Sequence, residues 1–474
     1  MAATIYQMEE KYEEYLIDES KYKGHADSIS FPESEEEILA ILEQMKEEQV
    51  PVTIQGAKTG ITGAGVPMGG HILNLSHMNQ VIGHSTMEDG TGRITVEPGI
   101  NLMELRKEIA ARFRKEHLFW PPDPTETSAS IGGIAASGAQ GISHMLYGET
   151  EDYIESIRLI DGAGNVRDIS RGQEEEILPG EKMDALDMVL GKEGITGIIT
   201  RITLKLIPKP EAVWGIVFFF EEKDGAAGFV DMLRSELPEA EDAKIAAVEY
   251  MDRRSMDLIE ARKETMTKIK ELPDIEEQIQ ALVYTELQGS EEGIEVIAES
   301  LMEAAMECGS DPDQAWALSG ETEVEKLHAF RHAAAETANL FIEEQRRKDD
   351  RITKLGTDMV IGEQTFKELL EQYEEDMNQA GLEGCIFGHA LENHLHVNIL
   401  PEDYEAYEKG IKLIRSWAER TRELHGVVSG EHGVGKLKRQ ILGACVPEDY
   451  QELCRKLKAH LGIDGRLNQG NILG

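Results

Sequence analysis

The stretch Gly56-Ala57-Lys58-Thr59-Gly60-Ile61-Thr62-Gly63-Ala64-Gly65 follows a run of β-forming residues, Val52–Gln55, and decides how the first half of the chain is read. Glycines let several backbone N–H groups turn into one cavity, a cradle suited to a pyrophosphate. Two common phosphate-binding patterns fail on spacing. For a Walker loop, Pro51 stands where the first glycine belongs and Lys58 comes one place late. A Rossmann fingerprint opens a helix and needs Gly or Ala at its sixth position, but Gly63-Ala64-Gly65-Val66-Pro67-Met68 puts Met68 there. Beyond it, Gly70-His71-Ile72-Leu73-Asn74-Leu75 continues as strand. Taken alone, such a loop reads equally well as a glycine-rich hairpin that binds nothing.

Outward from this loop the pattern separates regions. Residues 1–50 read as helical, with apolar residues at helical spacing in 35–48 (Ile38, Leu39, Ile41, Leu42, Met45). From residue 50 short β-runs alternate with glycine clusters: 52–55, 72–75, 93–97, 154–160 and 198–206, with a helix at 101–114. This mixture predicts an α+β nucleotide-holding domain over 1–210, closed by Pro208 and Pro210. Residues 211–425 alternate strands (213–220, 245–250, 281–287) with helices (226–237, 291–307, 321–347). That order predicts an antiparallel sheet with helices on one face. A C-terminal helical segment, 426–474, contains one glycine-rich turn, Ser429-Gly430-Glu431-His432-Gly433-Val434-Gly435.

Composition limits the function classes. The 474 residues suffice for two or three domains with large cores and no disulfides. With 48 basic and 90 acidic residues the net charge is −42, which repels nucleic acid and anionic lipid. An anionic ligand would therefore need a local basic site. Cys308, Cys385, Cys445 and Cys454 lie far apart with no CxxC pair, so no iron–sulfur cluster is expected. Few cysteines and no signal-peptide pattern predict a cytoplasmic location. The longest apolar run, 213–220, is too short to span a bilayer.

Two further segments shift the reading of the glycine loop towards a cofactor site. Pro121-Pro122-Asp123-Pro124-Thr125 leads to Ser130-Ile131-Gly132-Gly133-Ile134-Ala135-Ala136-Ser137-Gly138-Ala139-Gln140-Gly141. Gly191-Lys192-Glu193-Gly194-Ile195-Thr196-Gly197-Ile198-Ile199-Thr200 comes later. In order and spacing the ensemble resembles the FAD-linked oxidases of the vanillyl alcohol oxidase / p-cresol methylhydroxylase (PCMH) superfamily, in the branch of the D-lactate dehydrogenases and the flavin-carrying glycolate oxidases. The resemblance implies a PCMH-type FAD-binding domain and a substrate (cap) domain, with the C-terminal segment returning to the flavin. It implies that Gly56, Ala57, Lys58, Thr59, Gly60, Ile61 and Thr62 hold the pyrophosphate. It places Pro122, Asp123, Ser130, Gly132, Gly133, Ser137, Glu193, Gly194, Ile199 and Asn468 around the rest of the cofactor. Lys58 replaces a usual small residue, Gly138 a usual Asn and Gln469 a usual Pro. No His lies between Val50 and Gly70, so the FAD is expected to be non-covalent.

The most chemical segment is Gly388-His389-Ala390-Leu391-Glu392-Asn393-His394-Leu395-His396-Val397-Asn398-Ile399. From 394 it alternates strictly: His394, His396 and Asn398 on one side, Leu395, Val397 and Ile399 on the other. A solvated polar face is the plain alternative. Three histidines within eight residues, from 14 in the chain, favour a metal or catalysis. Glycines around Glu431-His432 let both side chains enter one site, though a helix-capping turn has the same residues. Spacing alone leaves His394 and His396 open as ligands. The resemblance implies one divalent metal (zinc, manganese or iron) on His389, His396 and Glu431, with His432 as the base. It further implies Arg331 and Lys354 as contacts of the substrate carboxylate, where the residues alone read as an ordinary surface Arg and Lys, and Asn398 as a further substrate contact.

The implied activity is FAD-dependent oxidation of a small 2-hydroxy acid, D-lactate or glycolate, with metal assistance. Ala335 stands at a hydroxyl position of 2-hydroxyglutarate-type relatives and weighs against that substrate. Electrons would leave to a separate acceptor, an electron-transferring flavoprotein, an iron–sulfur subunit or a quinone. A homodimer is one assembly open to it. The rivals are D-2-hydroxyglutarate dehydrogenase, a sugar or alcohol oxidase or ether-lipid synthase on the same fold, and a non-catalytic flavin-binding subunit.

Overall fold

The computed structural model describes residues 4–442, 446–463 and 465–473; Cys445 lies outside them. The chain divides into two compact units, Met1–Gly141 with Gly148–Lys209 and Glu431–Gly474, and Ile142–Tyr147 with Pro210–Gly430.

The first unit contains a small sheet in which Ser28–Ser30, His71–Asn74 and Val52–Gln55 run parallel, His71–Asn74 in the middle. Parallel neighbours require crossovers. The helix Glu35–Glu47 supplies the first, its Ser34 cap accepting the Glu37 N–H at 3.3 Å and Ile38, Ile41 and Met45 buried. Residues 56–70, the glycine loop, supply the second without a helix. The tail lies alongside: Arg466 O accepts from Val52 N and Asn468 N donates to Val52 O, both at 2.9 Å.

The expectation of helix throughout 1–50 is corrected. Among the described residues 4–50 only Glu35–Glu47 is α-helical; Glu10–Leu16 is a 3-10 helix, and Tyr6–Gln7 and Ser28–Ser30 are strands. Ile29 is fully buried against Ile72 and Leu16, with Tyr12, Tyr15 and Phe31 packed around them. Burying that cluster overrides the helical preference of the local sequence.

A second sheet in this unit is antiparallel, in spatial order Val81–Thr86, Gly92–Val96, Ile198–Pro208, Ile154–Ile160 and Val166–Ser170. Its central strand buries Ile202, Leu204 and Leu206 on alternate positions.

The second unit is built on one antiparallel sheet. Its order is Trp316–Ser319, Ala212–Phe220, Ala281–Gly289, Ala243–Asp252, Gly384–His389 and His394–Ile399, with Leu355–Gly356 and Met359–Val360 on the last strand. Helices Arg253–Glu260 and Glu321–Arg346 cover the face carrying Val217, Phe219, Met251 and Phe387. The expected helical cover of one face is this one. The opposite face is covered too: Phe229 of the helix Lys223–Ser235 meets Phe218 at a ring separation of 5.2 Å.

In the parallel sheet His71 is fully buried between two hydroxyls, Ser28 Oγ at 2.9 Å from Nδ1 and Ser30 Oγ at 2.8 Å from Nε2. Burial holds its pKa down at about 4. The unfolded chain takes up this proton near pH 6.5 and the folded one refuses it until about 4. The contribution is therefore fully present above pH 6.5 and is lost as pH falls towards 4, about 3 kcal/mol in all. Hydrogen-exchange protection of His71–Asn74 should fall over this window in the wild type and stay level in His71→Gln. Equal acid loss in both proteins would remove His71 as the cause.

Candidate functional site

Within the first unit the two glycine segments meet by close approach. A Cβ on Gly56 would stand 2.2 Å from Ser130 Oγ, so only glycine lets the loop lie against that serine. Ser130 caps the short helix Ile131–Ser137, its Oγ accepting the Gly133 N–H at 3.3 Å. The Gly132 N–H is spent on Pro98 O at 2.8 Å, and its Cα packs on Pro98. Ser137 Oγ donates to Gly133 O at 2.9 Å. Asp123 pairs with Arg106. Lys58 leans away from the loop, 2.9 Å from Glu14 and over the Tyr15 ring at 3.9 Å.

The tail closes this arrangement. Glu193 is buried and its Oε1 accepts the N–H groups of Val434 (2.5 Å) and Gly435 (3.0 Å). Burial pushes its carboxyl up, against those bonds and Lys436. Asn468 accepts from Ile54 N and donates to Glu193 O, each at 2.7 Å. Its side chain thus braces protein groups beside Gly194, whose added Cβ would meet it at 2.6 Å. Ile199 is buried on the central strand of the antiparallel sheet. His432 Nε2 lies 3.2 Å from Glu431 Oε1.

Three residues of this unit carry no sequence signal. Buried Lys436 donates to Ala64 O (2.9 Å) and Asn471 Oδ1 (2.8 Å), tying the tail to the glycine loop. Burial pulls its pKa down to about 8, against Glu193 and Asp18. Asp18 accepts the Gly63 N–H at 2.9 Å, and burial raises its pKa to about 6.

In the second unit the three histidines of the hairpin are buried, while Leu391 and Glu392 at its turn are half-buried. His394, His396 and Asn398 are 4%, 5% and 4% exposed, so the polar side of the strand faces protein and not solvent. Cross-strand register sets His389 opposite His394 and Phe387 opposite His396, putting all four on one face. Ligand atoms of Asp358, His394 and His396 lie within 4.8 Å of one another, a donor set that fits a divalent metal. Asp358 also bonds His394 Nε2 (2.8 Å) and Ser429 Oγ (3.0 Å). His389 stands beside this group, ring centroids 5.3 Å from His394 and 5.8 Å from His396. Its Nδ1 bonds Glu249, which also takes Arg331 Nε.

Burial pushes the Glu249 carboxyl up, but Arg331 and His389 outweigh it and hold it at about 2. Lys354 donates to Asn339 Oδ1 at 2.8 Å. Asn398 Nδ2 donates to His396 O at 3.2 Å, while its buried Oδ1 finds no protein donor. Such an atom costs stability unless a ligand or water satisfies it. Glu249 had a legible signal, a single charge inside the apolar run Ala246-Ala247-Val248-Glu249-Tyr250-Met251. Asp358 and Ser429 had none.

A family model described as FAD linked oxidases, C-terminal domain, matches residues 212–472, and one described as FAD binding domain matches 26–170. The chain belongs to the FAD-linked oxidase family. It is an FAD-dependent oxidoreductase of PCMH-type architecture. D-lactate dehydrogenase of Anaerostipes hadrus is 27% identical over 97% of this oxidase and 92% of its own length. Glycolate oxidase subunit GlcD of Bacillus subtilis (strain 168) is 25% identical, over 95% and 90%. The solved structure of 4-ethylphenol oxidase from Gulosibacter chungangensis shares the fold, with a TM-score of 0.69 over 99% of this oxidase and 94% of that chain at 16% identity.

Among the described residues, Gly435 is a position at which the tail and the glycine loop admit no side chain. Gly435 has φ +55°, and a Cβ there would lie 2.2 Å from Thr62 O. Gly435→Ala should push Thr62 away, costing about 1–3 kcal/mol, and lower FAD content. The check is melting temperature and flavin absorbance per chain, with Val434→Ala as control. A Gly435→Ala protein with full flavin and unchanged melting would contradict the assignment.

Proposed function

We propose that this oxidase converts a small 2-hydroxy acid, D-lactate or glycolate, to the 2-oxo acid, with non-covalent FAD and one divalent metal (zinc, manganese or iron). The observation that carries it is the buried polar face of His394–Ile399, where an unsatisfied Asn398 oxygen shares a sheet face with clustered imidazoles. The two relatives, whose names specify D-lactate and glycolate, support the substrate class. FAD would lie on Gly56 to Thr62, Pro122, Asp123, Ser130, Gly132, Gly133, Ser137, Glu193, Gly194, Ile199 and Asn468.

When bound, FAD supplies a two-electron acceptor for the C2 hydride, and the metal a Lewis acid that lowers the hydroxyl pKa. His389, His396 and Glu431 are the proposed metal ligands. His432 takes the hydroxyl proton as C2 loses its hydride, so the C–O bond gains its double-bond character. Arg331 and Lys354 hold the substrate carboxylate, and Asn398 makes a further contact with the substrate. Arg331 Nε is committed to Glu249, which leaves its two Nη groups to grip the anion. The reduced enzyme passes electrons to a separate protein or a quinone, and a cytoplasmic location belongs to the same proposal. Among the described residues no helix is long and apolar enough to cross a membrane.

A second reading of the ligand set rests on the convergence of Asp358, His394 and His396, with His389 turned towards Glu249. In it His394 and Asp358 replace His389. Metal analysis of His396→Ala, His389→Ala and His394→Asn separates the two. The first reading expects the metal lost from the first two variants and kept in the third, with flavin retained in all. Metal kept in His389→Ala and lost in His394→Asn would install the second.

The base is tested by anaerobic stopped-flow reduction with D-lactate or glycolate. His432→Asn should keep FAD, metal and melting temperature while flavin reduction slows by about 10²–10⁴. Near-normal reduction would remove His432 from the mechanism. A wild-type flavin that no D- or L-hydroxy acid bleaches would favour a non-catalytic flavin subunit.

A further inference from the structure

Glu249 is the only acidic side chain on the inner stretch of its strand, 1% exposed, and each oxygen has a different partner. Oε1 meets His389 Nδ1 and Oε2 meets Arg331 Nε. The register explains the first: Glu249 lies directly opposite His389, and His389 directly opposite His394, so the three share one face. Arg331 reaches the same point from the helix Glu321–Arg346, its guanidinium 5.1 Å over the Phe387 ring. A buried ion pair is a poor stabiliser, because desolving both charges offsets most of their attraction and an apolar pair often does as well. Stability therefore gives little reason for a carboxylate here. Its two partners give a better one, since both are groups of the proposed site.

We propose that Glu249 is a positioning residue that locks His389 for metal binding and Arg331 for carboxylate binding at once, a coupling that rests on the metal and substrate reading above. A carboxylate accepts only, so His389 must donate Nδ1–H to it. A neutral imidazole in that tautomer carries its lone pair on Nε2 and holds one ring orientation. Carboxylates in this outer position typically strengthen metal affinity about 10–100-fold. The second oxygen fixes the Nε edge of Arg331, so its Nη edge faces a fixed direction. One rigid strand residue thereby sets the spacing between the group that grips the metal and the group that grips the substrate anion.

Glu249→Gln is nearly isosteric but neutral, with one acceptor oxygen that Arg331 also claims, so His389 keeps at most a weaker, uncharged acceptor. The test is apparent zinc or manganese affinity of the full-length flavoprotein, measured by competition with a chromogenic chelator. Wild type, Glu249→Gln, His389→Ala and the double variant are compared. The expected result is metal affinity weakened about 10–100-fold in Glu249→Gln, with FAD content retained. No further weakening is expected when that change is added to His389→Ala. Unchanged affinity in Glu249→Gln overturns the proposal, as does an equal extra loss in the His389→Ala background. Should Glu249→Gln fail to fold, Glu249→Asp keeps the charge beside Arg331 but shortens the reach to His389. Wild-type metal affinity in that variant is equally fatal. A wild-type protein that holds no metal sinks the metal reading as well; metal held normally with an indifferent Glu249 sinks this proposal alone.

Discussion

Four parts of the chain, residues 54–62, 191–194, 434–435 and 468, are held by a single relay of buried and half-buried hydrogen bonds through Asn468 and Glu193. The Asn468 carboxamide joins Ile54 N–H, 414 residues away, to Glu193 O, and the Glu193 carboxylate takes the N–H groups of Val434 and Gly435. Gly435 in turn lies against Thr62 of the glycine loop. Each bond contributes about 1 kcal/mol net, but the Glu193 carboxylate and the Asn468 carboxamide are buried and cost more than that if left without a partner. The relay is therefore all or nothing. The loop, the turn at 191–194 and the tail take their positions together, which is how residues so scattered in sequence form one arrangement.

The second unit applies the same rule with charge in place of amides. A row of polar groups crosses its sheet at one register, Tyr284 beside Glu249, Glu249 beside His389 and His389 beside His394. On its flank Glu286 takes Tyr284 Oη at 2.7 Å and His328 Nε2. Burial works to lower the His328 pKa, but Glu286 and Glu325 outweigh it and hold it at about 9. The row borders the apolar core of Val217, Phe219, Met251 and Phe387 under the long helix. Low dielectric there strengthens each interaction and raises the cost of disturbing any of them.

Much of this was legible in the sequence, and the exceptions share a cause. The strands Val52–Gln55 and Ile154–Ile160 and the helix Glu291–Glu307 fall where period and turn residues place them, because in each the local pattern and the tertiary burial agree. Residues 1–50 misled because a few aromatic contacts outweigh propensity there. The histidine strand was legible as a polar face, but not as a buried one, since alternation gives sidedness and says nothing of what covers the side. Asp358 and Lys436 act through partners made by distant segments, and no periodicity reports those. The hairpin Glu174–Leu178 with Glu181–Asp184 is mostly charged, so it lacks the apolar alternation by which strands are recognised.

The division of the chain also sets a clock for biosynthesis. Residues 210–430 lie between the glycine loop's sheet and the tail that completes it. At ribosomal rates of about 5–20 residues per second, that insert keeps the first unit open for on the order of tens of seconds. The inserted unit is contiguous apart from residues 142–147, so it can fold while the unit begun before it still waits for Gly435 and Asn468. Completion of the first unit then becomes the last act of its folding, and a nascent chain stalled near residue 430 would hold a finished second unit and an unfinished first one.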